Sequence, residues 1–132
     1  MIGVDTNVLV RYIVQDDIEQ SKIASRFIEG QISSSKPGFI NQIVLCELVW
    51  VLKRAYHYEK TIILNVIEKI LQTKEFVIDN ADIVWIALRE YREGKADFSD
   101  YLIASYNKHS DCTHTVTFDR IASNAKFIKI LS

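Results

Sequence analysis

Proline occurs once in the 132 residues, glycine four times and cysteine twice. So little proline and glycine, beside 48% apolar and 25% charged residues, excludes a collagen-like or low-complexity disordered chain and leaves a globular one. Two cysteines, Cys46 in an apolar run and Cys112 in a polar one, make no disulfide framework, so reduced thiols with a packing role are expected. Long apolar runs are also missing. None reaches the ~20 residues of a membrane span, and a first strand expected from Ile2 leaves no room for a signal peptide ahead of it. No membrane association and a cytoplasmic location are therefore expected. Nor does charge of one sign prevail: 16 Lys and Arg stand against 17 Asp and Glu, a net charge of −1. A polyanionic partner would have to be met by a local basic patch, because the whole molecule does not attract it. The length suits a single domain over residues 1–132, with one core that hides about two thirds of the unfolded surface.

What the chain does have is an alternation of short apolar runs with helical stripes. Ile2 to Val4 reads as a strand, and "NVLVRYIVQ" as a buried helix or turn. "DDIEQSKIASRFIEG" predicts a helix capped by Asp17, with Ile18, Ile23, Phe27 and Ile28 as its inward stripe and Gly30 as its stop. After the loop "SSSKPG", "FIN" predicts a three-residue strand, and Asn41 caps a helix from about Gln42 to Tyr56. "TIILNVIEKILQ" places Ile62, Ile63, Val66, Ile67, Ile70 and Leu71 on one helical stripe. "EFVI" is a strand, and "ADIVWIALREYREG" a helix with Ile83, Val84, Ala87, Leu88 and Tyr91 inward and Gly94 at its end. "FSDYLIASYNKHS" is a further helix, "CTHTVTF" a strand with Thr113, Thr115 and Thr117 on one face, "RIASNA" a short helix and "FIKIL" the last strand. Strands alternating with helices predict an α/β fold around a parallel sheet.

Ligands of open parallel sheets bind beyond the carboxyl ends of the strands, which directs attention to acids at those ends. Asp5 closes the first strand, and Asp119 follows "THTVTF". Asp97 and Asp100 open a helix three residues apart and share the side of its first turn. Each has a plain structural reading: Asp5 or Thr6 caps the next helix, Asp97 with Asp100 makes a variant capping box, and Asp119 caps "RIASNA". Glu47 differs from them. It is the only charged residue in "IVLCELVWVL", with Val44 and Val51 a turn away on its own face, and capping does not explain a mid-helix residue. A helix apolar all round is a buried one, where an unpaired carboxylate costs several kcal/mol. A buried cation, a neutral carboxyl or a bound metal would compensate it; the alternative is an exposed face used for contacts. If Asp5, Glu47, Asp100 and Asp119 converge beside Asp97, their mutual repulsion calls for a hard divalent cation, and all-oxygen ligation suits Mg²⁺ or Mn²⁺. Such metals activate water and stabilise the leaving oxygen in phosphodiester hydrolysis.

"VDTNVLVRY", "CELVWVL", "DFSDYLIA" and "VTFDR" stand in the order and at about the distances found in PIN-domain ribonucleases, and the chain resembles most those of the VapC type, the toxin half of toxin-antitoxin pairs. The resemblance covers essentially the whole chain. It implies a PIN-like three-layer fold, a central, mostly parallel sheet of about four or five short strands flanked by helices. It also implies Mg²⁺- or Mn²⁺-dependent endonucleolytic cleavage of RNA, a homodimer, and inhibition by a small cognate antitoxin. By position, Asp5, Glu47, Asp100 and Asp119 match the family's acidic quartet, and Asp97 matches a metal-binding acid of part of it. Thr6, Asn7 and Thr117 match polar residues that support those acids. Arg11, Lys53, Arg54, Lys95 and Arg120 lie near the motifs as candidates for the RNA backbone, and Trp50, Tyr56 and Tyr101 for stacking on bases or filling the core or the dimer contact.

Three other readings attach to parts of the pattern. An aspartate after a first strand also opens phosphatases that form an aspartyl-phosphate, with Asp5 as nucleophile, but those carry a second aspartate where Asn7 stands here. A non-catalytic dimeric binding module would use the acids as caps and the Glu47 helix for dimerisation. His109, Cys112 and His114 in "HSDCTH" match part of a zinc site that lacks a fourth ligand, while His114 on a strand has a plain packing role.

Overall fold

Short strands and helices alternate along residues 1–132, all of which the computed structural model describes, and the chain forms two compact units, Met1–Asp79 and Asn80–Ser132. The first contains β1 (Ile2–Gly3), α1 (Thr6–Val14), α2 (Ile18–Arg26) with a π-helical turn after it (Phe27–Gln31), β2 (Gly38–Ile40), α3 (Gln42–Arg54), α4 (Lys60–Gln72) and β3 (Phe76–Ile78). Its strands pair in parallel in the order β1-β2-β3, Ile2 opposite Gly38 and Gly38 opposite Phe76. Parallel neighbours need crossovers, and helix pairs supply them: α1 and α2 between the first two strands, α3 and α4 between the next two. The strand carboxyl ends therefore share one rim, where Asp5, Asn41 and Asp79 stand just past β1, β2 and β3. Gly38 suits the middle of this sheet, since a Cβ there would lie 3.0 Å from the Val4 side chain and 3.3 Å from that of Phe76, which would have to give way.

Asp17 and Asn41 cap α2 and α3 as their sequences predict, their Oδ1 atoms accepting the N–H groups of Gln20 and Val44 at 2.9 Å. Leu9, Ile40, Leu45, Leu48, Leu52, Ile63 and Ile67 form the buried interior of this unit. The stripe expected on α2 is corrected in its first half: Ile28 is buried and Phe27 half-buried as expected, but Ile18 and Ile23 are 73% and 63% exposed, and the small residues Ser21 and Ala24 face inward instead. Gly30 does not stop the helix either, because it lies inside the π-helical turn. On α4, Ile62 is likewise exposed, the inward face being Ile63, Leu64, Ile67 and Ile70.

The second unit contains α5 (Ala81–Glu93), α6 (Phe98–His109), β4 (Thr115–Thr117), a 3-10 turn (Ala122–Asn124) and β5 (Ile128–Ile130). β4 and β5 are parallel, Thr115 opposite Ile128. The α/β class with parallel strands holds, and pairing runs in a set of three and a set of two strands. β4 is shorter than "CTHTVTF" suggested, leaving Thr113 outside it, since pairing with β5 begins only at Thr115. α5 packs on α6 through Tyr91, whose ring meets Phe98 edge-on at 5.8 Å. Gly94 ends α5 where the Tyr101 hydroxyl occupies the space a Cβ would need; that hydroxyl accepts the Ala96 N–H at 3.3 Å and so fixes the turn leading to Asp97.

Leu48→Ala should lower unfolding stability by about 2–5 kcal/mol in a urea titration, whereas Ile23→Ala should stay within about 0.5 kcal/mol. Equal losses at the two positions would contradict the packing of α2 and α3.

Candidate active site

In the first unit the chain leaves β1 through Asp5, in extended conformation (φ −81°, ψ 159°), and enters α1 at Thr6. Asp5 is exposed and its Oδ1 accepts only the Thr6 N–H, at 2.7 Å. An ordinary capping oxygen reaches the second or third helical N–H, so capping accounts poorly for this aspartate. Thr6 itself is buried and donates its hydroxyl to Glu47 Oε1 at 2.6 Å, across 41 residues of sequence. One threonine thus holds two carboxylates at the same corner, Asp5 through its amide and Glu47 through its side chain. The second oxygen of each accepts no hydrogen bond.

The burial expected for Glu47 is corrected, because its side chain is exposed. α3 turns Val44, Leu45, Leu48, Val49 and Leu52 inward and presents Ile43 (71% exposed), Glu47, Trp50 (57%) and Arg54 outward, at i, i+4, i+7 and i+11. The outward Ile43 and Trp50 hid this periodicity in the sequence. Arg54 lies with its guanidinium carbon 5.2 Å from the Trp50 ring centroid.

Arg11 is already engaged: its Nε–H donates to Gln20 Oε1 at 2.7 Å and its Nη1 pairs with Asp16 Oδ1 at 3.1 Å. The Tyr56 hydroxyl donates to Asp16 Oδ2 at 2.8 Å, and that hydrogen bond, joined by the Arg11 charge, holds the Asp16 carboxyl below its ordinary range. The sequence carried no signal for this network, which ties α1 to the start of α2 and the end of α3. Asn7 is exposed on α1 and lines an open cleft of about 560 Å³ with Gly3, Arg11, Gln20 and Phe27. Lys53 is exposed near the end of α3.

In the second unit Asp97 and Asp100 form the expected capping box at the start of α6, Asp100 Oδ2 accepting the Asp97 N–H at 3.1 Å. Thr117 accepts the Asp119 N–H on its hydroxyl at 3.0 Å. Asp119 Oδ1 accepts the N–H groups of Ile121 and Ala122 at 2.8 and 3.1 Å. Capping is therefore real for these acids. Yet Asp100 and Asp119 each keep one oxygen without a hydrogen bond, and the acids feel each other. The Asp100 carboxyl is pushed up, first by burial and then by the negative charges of Asp97 and Asp119, against a lowering by its backbone hydrogen bond. Lys95 and Arg120 are exposed beside them. Tyr101 is buried, which removes it as a stacking platform.

His109, Cys112 and His114 are all exposed, so the packing roles expected of Cys112 and His114 are corrected; β4 begins only after His114, whose Nδ1 lies 3.1 Å from the Thr113 hydroxyl. Neither unit by itself gathers three His, Cys, Asp or Glu side chains at ligating distance. What the acids do offer a cation is chemistry of the right kind: hard carboxylate oxygens, one per residue oriented by a donor and the other unclaimed, at Asp5, Glu47, Asp100 and Asp119.

The chain as a whole has a counterpart among known sequences. The PIN domain family model matches residues 2–128, and the chain belongs to that family. Within it, the chain is similar to a VapC ribonuclease of Aquifex aeolicus (strain VF5), 26% identical over 116 residues that cover 88% of this chain and 85% of the relative. No helix is long and apolar enough to cross a membrane.

Since folding lifts the Asp100 carboxyl above its ordinary value of 3.8, its ionised form works against the folded state at neutral pH and the penalty vanishes in acid. In EDTA, Asp100→Asn should therefore raise the urea midpoint at pH 7, with the gain closing as the pH falls below about 3.8. A gain that persists unchanged into acid would contradict this electrostatic origin.

Proposed function

We propose that the chain is a metal-dependent endoribonuclease acting as the toxin of a toxin-antitoxin pair, with Asp5, Glu47, Asp100 and Asp119 as catalytic carboxylates and Asp97 as a further metal ligand. The observation that carries this reading is the Asp5–Thr6–Glu47 linkage, which spends a buried hydroxyl on orienting an exposed glutamate. Capping accounts for Asp97, Asp100 and Asp119 and only in part for Asp5, whose Oδ1 takes the first helical N–H of α1, and it does not account for Glu47. The similarity to a VapC ribonuclease supports RNA as substrate and an antitoxin as partner. Bound Mg²⁺ or Mn²⁺ would supply a Lewis acid that lowers the pKa of water and offsets charge developing on the phosphate.

The chain's own residues supply the rest. Thr6 fixes the Asp5 and Glu47 headgroups, and Thr117 and the Ile121 and Ala122 amides fix the turn that carries Asp119. Asp100 is lifted by burial and by neighbouring acids, and a cation bound beside it would favour its ionised form. Lys53, Lys95 and Arg120, all exposed, are assigned to the RNA backbone, whereas Arg11 holds α1 against Asp16 and Gln20. Residues 1–132 work as one domain in this reading, as a single family match over 2–128 supports, in a cytoplasmic homodimer.

Incubated with labelled RNA, the protein should produce fragments bearing 5′-phosphate and 3′-hydroxyl ends, with Mg²⁺ or Mn²⁺ and not with EDTA. Asp5→Asn and Glu47→Gln should each lower the rate at least about a hundredfold while the circular dichroism melt stays in place. Cleavage untouched by both substitutions would remove the nuclease reading, and trapping of phosphate on Asp5 would replace it with a phosphatase. Thr6→Val should cut kcat about ten- to a hundredfold with KM little changed, and Thr6→Ser should recover most of it. A Thr6→Val enzyme of normal kcat would deny the threonine its positioning role.

A further inference from the structure

Trp50 and Arg54 remain unexplained by the carboxylate chemistry. Trp50 is 57% exposed, although indoles are large apolar groups that proteins usually cover. It follows Glu47 by three residues on the same side of α3, and Arg54 packs its guanidinium over the ring at 5.2 Å. We propose that Trp50 and Arg54 form a platform for one nucleotide of the RNA beside Glu47, the base stacking on the indole and the adjoining phosphate meeting the guanidinium. The proposal rests on the ribonuclease reading and adds to it the residues that seat the substrate.

The pairing of an exposed ring with a cation, beside a carboxylate, favours a nucleotide. Ile43, Glu47, Trp50 and Arg54 alternate apolar with charged groups along a single line. Trp and Arg occur in protein-protein contacts too, but the core of such a contact is depleted in Glu. A nucleotide presents an aromatic face and an anion a few ångströms apart, the two groups that Trp50 and Arg54 complement. Stacking tolerates any base, so the platform would position the strand and leave sequence choice to other contacts. The Arg54 contribution should be salt-sensitive, as phosphate contacts are.

The chain has two tryptophans, Trp50 and Trp85. In an Asp5→Asn, Trp85→Phe protein, which leaves RNA intact, the remaining emission reports Trp50 alone. Titration with short single-stranded oligoadenylate should quench that emission saturably, and the same titration with Arg54→Gln should show weaker binding with a shallower dependence on salt. In the otherwise unaltered enzyme, Trp50→Ala should raise KM for RNA about tenfold with its metal requirement kept, and Trp50→Phe should restore most of the loss. RNA cleavage that proceeds while Trp50 emission ignores the oligonucleotide and Trp50→Ala leaves KM unchanged would overturn the platform alone. So would a dimer that falls to monomers on Trp50→Ala while KM holds. A wild-type chain that cleaves no RNA yet shows the quench would remove the nuclease reading and keep the platform.

Discussion

The hydrogen bond from the Thr6 hydroxyl to Glu47 joins the first turn of α1 to the middle of α3, and the placement of the N-terminal acids depends on it. A buried hydroxyl without a partner is costly, so the bond serves stability and orientation at once. It forms because β1 ends where its parallel partner β2 sends the chain into α3, which brings two helix starts to one rim of the sheet. Asp5 stands at that rim by topology, and its backbone neighbour reaches the glutamate.

The second unit solves a different problem with the same means. Three aspartates close in sequence to helix and turn starts are held by N–H groups, which stabilise carboxylates that would otherwise repel each other. Burial first, and then the negative charges of Asp97 and Asp119, keep the Asp100 carboxyl above its ordinary range.

Much of this was legible in the amino-acid sequence. Caps at Asp17 and Asn41 and the box at Asp97 and Asp100 follow from local chemistry, and local chemistry is written in adjacent residues. The acids at strand ends were legible because parallel topology singles out those ends. What failed was inference from hydrophobicity alone: Ile18, Ile23 and Ile43 are apolar and exposed, while Ser21 faces inward. Glu47 was singled out for a burial it does not have, and its true distinction is a partner 41 residues away. The Arg11, Asp16 and Tyr56 network is similarly a product of tertiary proximity that no spacing announces.

The proposed metal role of the acids is tested most directly by titrating the protein with Mn²⁺ and reading the free ion by electron paramagnetic resonance, without RNA. Saturable loss of free Mn²⁺ signal in the wild type, strongly weakened by Asp5→Asn and by Asp119→Asn, is the predicted result. Binding that is absent from the wild type, or as strong in both variants as in the wild type, would contradict it.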